Sequence, residues 1–558
     1  MKKMSNEEIR IGVFICHCGT NIGGVLNISE LTDYTKTLPN VVYSDANLYT
    51  CSEVGLSEIR KNIEEHNLNR VIVASCSPRT HEPLFRSTCQ EAGLNPYLFE
   101  MVNIRDQDSW VHMKEPEKGT EKAKDLIRMG VYKAALLESL EKTQVSVIAS
   151  ALVIGGGIAG MNAALTLATQ KFKVNLIEKE SELGGLLRYL YKVYPTNEDA
   201  SIILETRDLV ENHENIDIYK STVIQKIEGY VGNYKVFLLQ NKKEIVIEVG
   251  VIIVATGARA LSPEGYYNYN GKTIISQLEL EGLLKEKKIE ANNITMIQCV
   301  GCRNDERKYC SNICCMTALK NAILIKEQNS DANINIIFRD IQTQGVTYEQ
   351  YYRRAREMGI LFIKYLPEKP PTIKKNHIEV YNEFMNQEIG FPYDLVVLSM
   401  PLIANEDSGQ LAKMLKVPLE ENNFFLEAHV KLRPVDFATD GIFVCGSAHW
   451  PADISESISQ SNAAASRAST ILSKELLEVE GSTAEVDTDV CVGCEACIKI
   501  CPYSAIYKDE DTDTVIVNKV VCKGCGLCGA SCPHNAIIIH HFTSDQIMAE
   551  IVTYGGGE

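Results

Sequence analysis

Nineteen of the 558 residues are cysteine, and eight of these lie in two runs with matching spacing. Cys491-x2-Cys494-x2-Cys497-x3-Cys501-Pro502 returns as Cys522-x2-Cys525-x2-Cys528-x3-Cys532-Pro533. A 4Fe-4S cubane needs four thiolates converging on a tetrahedron of irons. A tight loop supplies three, and in this spacing the fourth of each run serves the other cluster. Cys491, Cys494, Cys497 and Cys532 are thereby assigned to one centre, and Cys522, Cys525, Cys528 and Cys501 to a second. Structural zinc also takes four thiolates, but the doubled run with both terminal prolines speaks for iron. Gly493, Gly524 and Gly526 let the loops turn toward the inorganic sulfides.

A second chemistry is written in glycine. Val153-Ile154-Gly155-Gly156-Gly157-Ile158-Ala159-Gly160 reads as strand, tight turn and helix start. Gly155 permits the turn, Gly157 lets a pyrophosphate approach the helix amino terminus, and Gly160 packs helix on strand. The run Val174–Ile177 then ends in Glu178, placed to bind a ribose hydroxyl, with Lys179 beside it. Leu183-Gly184-Gly185-Leu186, the turn Ala255-Thr256-Gly257 and the segment Gly441–Ser447, which includes Gly446 and Ser447, resemble the corresponding parts of two-dinucleotide-binding flavoproteins. Together with Ala159 these residues form the candidate cofactor site, and FAD is favoured there over NAD. Cys445 lies in an apolar strand and reads as core.

In thioredoxin-reductase-like flavoproteins a second glycine fingerprint, for NAD(P)H, follows the Ala-Thr-Gly turn. After the strand Ile294–Gln298 this chain instead has Cys299, Cys302, Cys310, Cys314 and Cys315, five cysteines within 17 residues. Cys299-x2-Cys302 could be a redox dithiol facing a flavin. Four of the five thiols could instead bind another 4Fe-4S cluster. More thiols than a dithiol needs, in a chain already provided with clusters, favour the second reading.

These motifs resemble the heterodisulfide reductase family, in its A-type subunit, the one that carries flavin and iron–sulfur clusters. The likeness is carried by Cys299-Val300-Gly301, Tyr309-Cys310-Ser311, Cys314-Cys315 and Ala318-Leu319-Lys320. It extends to Cys16-His17-Cys18-Gly19-Thr20, Cys51-Ser52, Ser75-Cys76-Ser77-Pro78 with His81, and Asn95-Pro96-Tyr97. The resemblance implies that Cys299, Cys310, Cys314 and Cys315 hold the flavin-adjacent cluster, with Cys302 extra and available as a substitute ligand. It places Lys320 near flavin N5 as the catalytic cation; the plain alternative is a surface lysine. It also makes Cys16, Cys18, Cys51 and Cys76 candidate ligands of a fourth cluster, although any of them could be a buried thiol. Cys89 reads as a helix cysteine, and His17 and His81 as structural partners. Residues 186–254 contain no cysteine, so the ferredoxin domain that many methanogen members insert there is absent.

The elements that must position these groups follow from composition and periodicity. Residues 11–112 alternate strand-like and helical runs, such as Ile11–Ile15, Ser57–His66 and Val71–Ala74. The expected fold is α/β: an amino-terminal α/β domain over 1–112 and a connecting helix over 113–145 packing one face onto the next domain. A thioredoxin-reductase-like two-dinucleotide-binding core follows over 146–480, with a cluster-binding subdomain at about 291–390, and a two-cluster ferredoxin domain over 481–558. Gln144–Gln170 carries no charge, but its glycines mark it as strand, turn and helix and not as a membrane span. With 56 Lys and Arg against 73 Asp and Glu the net charge is −17, which argues against nucleic acid as a partner. The amino terminus has no signal segment, so a cytoplasmic location is expected, where cysteines serve metal chemistry and not disulfides.

The resemblance implies an oxidoreductase of anaerobic metabolism whose FAD, set among clusters, performs electron bifurcation between a donor, a disulfide-type or other high-potential acceptor and ferredoxin. The partners it implies are B and C subunits, a hydrogenase, dehydrogenase or similar donor module, and ferredoxin, in a dimer of heteromeric complexes outside the membrane. A passive electron-relay subunit and a stand-alone NAD(P)H-dependent flavin reductase are the competing readings.

Overall fold

The computed structural model describes residues 8–479, 481–509 and 512–556. The amino-terminal residues on which the location reading rests, 1–7, lie outside them. Two compact units emerge, one of Met1–Gln144 with Glu478–Glu558 and one of Val145–Leu477.

The first unit is built on a four-stranded parallel sheet. In space the order is Val41–Asn47, Ile11–Cys16, Arg70–Ser75, Phe99–Asn103. Ile11–Cys16 and Arg70–Ser75 are buried at every residue, as strands covered on both faces by helices must be. Helices Ile28–Thr35, Glu53–Glu65 and Pro78–Glu91 connect them. All strands run the same way, so the strand end at Cys16 and the loops carrying Cys18, Cys51 and Cys76 gather at one edge.

The helix expected to connect domains spans Pro116–Ala135, and its packing corrects the expectation. Ile127, Val131 and Ala134 are fully buried in the amino-terminal core. Periodicity shows that the helix has an apolar face but not what that face meets, and the nearest apolar surface is the sheet that precedes it. The carboxy-terminal cysteine region belongs to this same unit. It consists of two antiparallel ladders, Ala484–Val486 with Ile537–Ile539 and Ile506–Lys508 with Val515–Val517, and two short packed helices, Ala496–Ile500 and Leu527–Ser531. A last helix, Ser544–Thr553, starts at a capping box made by Thr543 and Gln546 and lies against Pro116–Ala135. Arg128 Nε donates to Thr553 O at 2.8 Å and Gln546 Nε2 to Leu136 O at 2.9 Å. The segments expected as separate domains over 1–112, 113–145 and 481–558 thus fold together.

A buried charge cluster ties them. Lys133 Nζ lies 2.9 Å from Glu100 and 3.7 Å from Glu550, and His541 Nε2 is 3.5 Å from Glu100. Burial alone would raise the Glu100 carboxyl, but His541 and Lys133 outweigh it and hold it below the usual carboxylate range.

The second unit repeats one construction. Its first five-stranded parallel sheet is ordered Ile442–Val444, Val251–Val254, Ser150–Ile154, Lys173–Ile177, Ile216–Tyr219. Its second is ordered Ile274–Ser276, Leu395–Leu398, Asn293–Ile297, Asn333–Phe338, Leu361–Lys364. Each half also carries a three-stranded antiparallel sheet, Thr222–Tyr230 to Lys243–Val249 in the first and Thr372–Ile373 to Gln387–Pro392 in the second. The uncharged stretch after Gln144 folds as strand Ser150–Ile154, glycine turn and helix Ile158–Thr169. Among the described residues no helix is long and apolar enough to cross a membrane.

Glu100→Gln leaves Lys133 buried with only Glu550 nearby. Denaturant titration should show a loss of about 3 kcal/mol. The depressed Glu100 contributes stability above the free-carboxyl pKa and loses it as pH falls through its folded value, so the difference between wild type and variant should shrink there.

Candidate functional site

The first glycine turn opens a large cleft. Gly155 sits at φ +107°, and a Cβ there would stand 2.4 Å from Ala255 O; at Gly160 it would stand 1.8 Å from Gly155 O. At Gly157 the same atom meets nothing within 4 Å. Gly155 and Gly160 are therefore demanded by packing, whereas Gly157 keeps space free in front of the helix Ile158–Thr169, whose positive dipole end favours an anion. The cleft holds about 1040 Å³ and is lined by Gly155, Gly157, Ala159, Glu178, Lys179, Gly184, Gly185, Leu186, Ala255, Thr256, Gly257 and Ser447. Gly446 does not line it but packs, its Cβ position 2.7 Å from that of Ala159. Glu178 accepts from Gly156 N and Glu180 N, each at 2.8 Å. Thr256 Oγ1 is buried with no partner. A large cleft with a free helix amino terminus and an unmet hydroxyl fits a dinucleotide such as FAD.

Lys320 lines the same cleft from the helix Cys314–Gln328 and is only 1% exposed, so it is not a surface lysine. Its Nζ donates to Lys192 O at 2.8 Å and to the carboxylate of Glu281, itself 1% exposed. Burial lowers the Lys320 pKa, and Glu281 opposes that fall. Sequence reasoning misses Glu281. The signal is nevertheless present, since Gln277, Leu280, Glu281 and Leu284 share the buried face of helix Gln277–Glu286, and a carboxylate in that stripe requires a partner.

The cysteine-rich loop runs from strand Asn293–Ile297 to that lysine-bearing helix. Cys299 and Cys310 enclose it, Cys302 is 2% exposed within it, and Cys314 and Cys315 open the helix. The five thiols influence one another electrostatically. A hydrogen bond from Cys302 and the nearby Arg303 guanidinium, whose Nη1 is 3.9 Å from Sγ, pull the Cys299 thiol below the usual thiol range. The same bond together with burial pushes Cys302 up, and burial pushes Cys315 up to about 12. Cys314 also lines the large cleft, and the amide of the preceding Gln298 is buried with neither side-chain atom partnered.

In the carboxy-terminal region two small cavities form. One is lined by Cys491, Cys494, Cys497 and Cys532, the other by Cys501, Cys522, Cys525 and Cys528. The halves match in detail, since Ala505 N donates to Cys501 Sγ and Ala536 N to Cys532 Sγ, both at 3.3 Å. At the amino-terminal sheet edge Cys16 and Cys18 act on both Cys51 and Cys76, and Arg105 Nη1 donates to Cys18 Sγ at 3.9 Å. Thr50 Oγ1, Ser75 Oγ and Arg105 Nε are buried there without partners. Cys89 and Cys445 are fully buried core residues. Among the described residues no three His, Cys, Asp or Glu side chains can share one mononuclear ion; a four-iron cluster asks for a different spread, one thiolate to each iron.

Comparison with known proteins bears on this arrangement. A family model described as pyridine nucleotide-disulphide oxidoreductase matches residues 149–298, and one described as 4Fe-4S dicluster domain matches 490–536. An A-type iron-sulfur subunit (A 2) of the CoB–CoM heterodisulfide reductase of Methanopyrus kandleri is 38% identical over 90% of this chain and 92% of its own length. The A-type subunit of the H(2):CoB-CoM heterodisulfide,ferredoxin reductase of Methanothermobacter thermautotrophicus is 38% identical over 91% and 92%. The chain belongs to the family of heterodisulfide reductase A-type subunits. This family member is an oxidoreductase with a flavin-type domain and a 4Fe-4S dicluster domain. Among solved structures, Lactococcus lactis thioredoxin reductase aligns over 58% of this chain and 99% of its own at 17% identity and a TM-score of 0.42.

The Lys320–Glu281 pair gives this heterodisulfide reductase homologue a measurable weak point. Glu281→Gln strands a buried ammonium and should lower the unfolding free energy by about 3 kcal/mol. Glu281→Gln combined with Lys320→Met should recover most of that loss, a coupling that a denaturant double-mutant cycle measures.

Proposed function

We propose that this chain is the flavin- and cluster-bearing subunit of a heterodisulfide reductase-like complex and divides electron pairs between two acceptors. The observation that carries the reading is the shared cleft: Cys314, Lys320 and the glycine turn all face one cavity. FAD bound there supplies exchange of electrons in pairs or singly, and clusters accept them singly. The FAD residues would be Gly155, Gly157, Ala159, Glu178, Lys179, Gly184, Gly185, Leu186, Ala255, Thr256, Gly257 and Ser447, with Gly160 and Gly446 shaping the cleft through packing.

Four clusters are proposed. Two use the carboxy-terminal sets, supported by the two cavities that mix three cysteines of one run with the fourth of the other. One uses Cys299, Cys310, Cys314 and Cys315, with the unpartnered Gln298 amide nearby as a donor. The last uses Cys16, Cys18, Cys51 and Cys76, ringed by the unmet donors of Thr50, Ser75 and Arg105. At the cleft wall Lys320 Nζ holds a proton shared with Glu281, and a preorganised cation there stabilises negative charge developing in the cleft.

The names of the relatives suggest the setting. The M. thermautotrophicus protein is named for H2, heterodisulfide and ferredoxin, and a Methanosarcina acetivorans relative for ferredoxin and F(420)H(2). We extend this to the present chain as partnership with B- and C-type subunits, a hydrogenase, dehydrogenase or similar donor module, and ferredoxin, in a cytoplasmic dimer of heteromeric complexes.

Anaerobic analysis should find one FAD and about sixteen irons per chain, with Cys314→Ser losing about four irons and leaving the carboxy-terminal clusters intact. About eight irons in the wild type would restore the dithiol reading. In potentiometric titration FAD should reduce in a single two-electron step; two resolved one-electron steps would reassign the protein to passive relay.

A further inference from the structure

At the carboxyl edge of the second parallel sheet, Asn293–Ile297, Asn333–Phe338 and Leu361–Lys364 end side by side, Ile297 opposite Ile337 and Phe338 opposite Lys364. Open parallel sheets bind ligands beyond this edge. A pocket of about 570 Å³ lies there, distinct from the flavin cleft and within the usual size range of small-ligand sites, about 300–1,000 Å³.

Its charge is one-sided. Arg303, Lys308, Arg339 and Lys364 face two carboxylates, Asp305 and Asp340. Arg303 Nη2 takes Asp340 at 2.8 Å, and Lys364 stays 4.0 Å from it. Among the described residues neither Arg339 nor Lys308 pairs with a carboxylate. Arg339 is nevertheless held in place, since Nη1 donates to Arg303 O at 2.5 Å and Nε to Tyr365 OH at 3.1 Å, and that hydroxyl donates to Gln298 O at 3.0 Å. An oriented guanidinium with spare donors is a phosphate receptor whose ordering cost is met in advance. Tyr365, Leu366 and Pro367 add an apolar wall, for which a bare oxyanion has no use.

We propose that this pocket binds a nucleoside phosphate, with Arg339 and Lys308 on the phosphate. Arg303 connects the site to the cysteine loop, because its Nη1 lies 3.9 Å from Cys299 Sγ while its Nη2 lies in the pocket wall. Occupancy would redirect that guanidinium and change the hydrogen bonding of a cluster sulfur, which sets cluster potential. This second step rests on the reading of Cys299 as a ligand.

Equilibrium dialysis of ADP against the anaerobic full-length holoprotein tests the site. One ADP per chain should bind at least tenfold tighter than inorganic phosphate. Arg339→Ala and, on an exposed side chain, Lys308→Glu should each weaken it at least tenfold with flavin and iron unchanged. No saturable binding, equal affinity for phosphate, or undiminished binding in Lys308→Glu overturns the proposal. ADP should also shift the electron paramagnetic resonance signal of a reduced cluster, and the shift should vanish in Arg303→Lys; bound ADP with an unchanged signal overturns the link through Arg303. Should iron analysis find no flavin-adjacent cluster, the Cys299 reading fails while the dialysis result stands on its own.

Discussion

Parallel strands deliver their chemistry at one end, and this molecule's clustered thiols depend on that constraint. Cys16, Cys51 and Cys76 come from distant points of the chain and approach one another because the three strands Ile11–Cys16, Val41–Asn47 and Arg70–Ser75 run the same way. Cys299 leaves a parallel strand by the same rule and meets Cys314 where the next helix begins. The carboxy-terminal cysteines are the exception. Their loops are short enough to converge locally, and only one cysteine lining each cavity comes from the other half.

That difference explains how much is legible in the sequence. The carboxy-terminal sets and the glycine turn can be read because their geometry is local, a loop of fixed spacing or a strand running into a helix. The amino-terminal set is weak in the sequence because spacing along the chain says nothing about which strand ends adjoin. Lys320 is found through family likeness, whereas Glu281 passes for an ordinary helix glutamate, although its place in an apolar stripe marks it. The helix Pro116–Ala135 shows the limit of periodicity. It announces an apolar face and leaves the partner of that face to tertiary structure, which supplies the preceding sheet and the last helix of the chain.

Charge burial recurs as a means of specification. Lys320 with Glu281, and Lys133 with Glu100, place ammonium groups where water is scarce. Such pairs add little net stability compared with well-packed apolar residues, yet removing one partner is costly. In the flavin-type cleft the pair keeps a cation at the wall of the cavity. In the other unit the pair, through Glu550 and His541, couples segments far apart in the sequence.

The second of these has a consequence for biosynthesis. Val145–Leu477 interrupts the unit formed by Met1–Gln144 and Glu478–Glu558. A ribosome therefore releases a complete inserted domain while its host still lacks His541 and Glu550. Glu100 and Lys133 wait through most of translation with only each other, and the host closes when the final helix emerges. Nascent chains stalled before that helix would carry a complete Val145–Leu477 unit while the host unit remains unfinished.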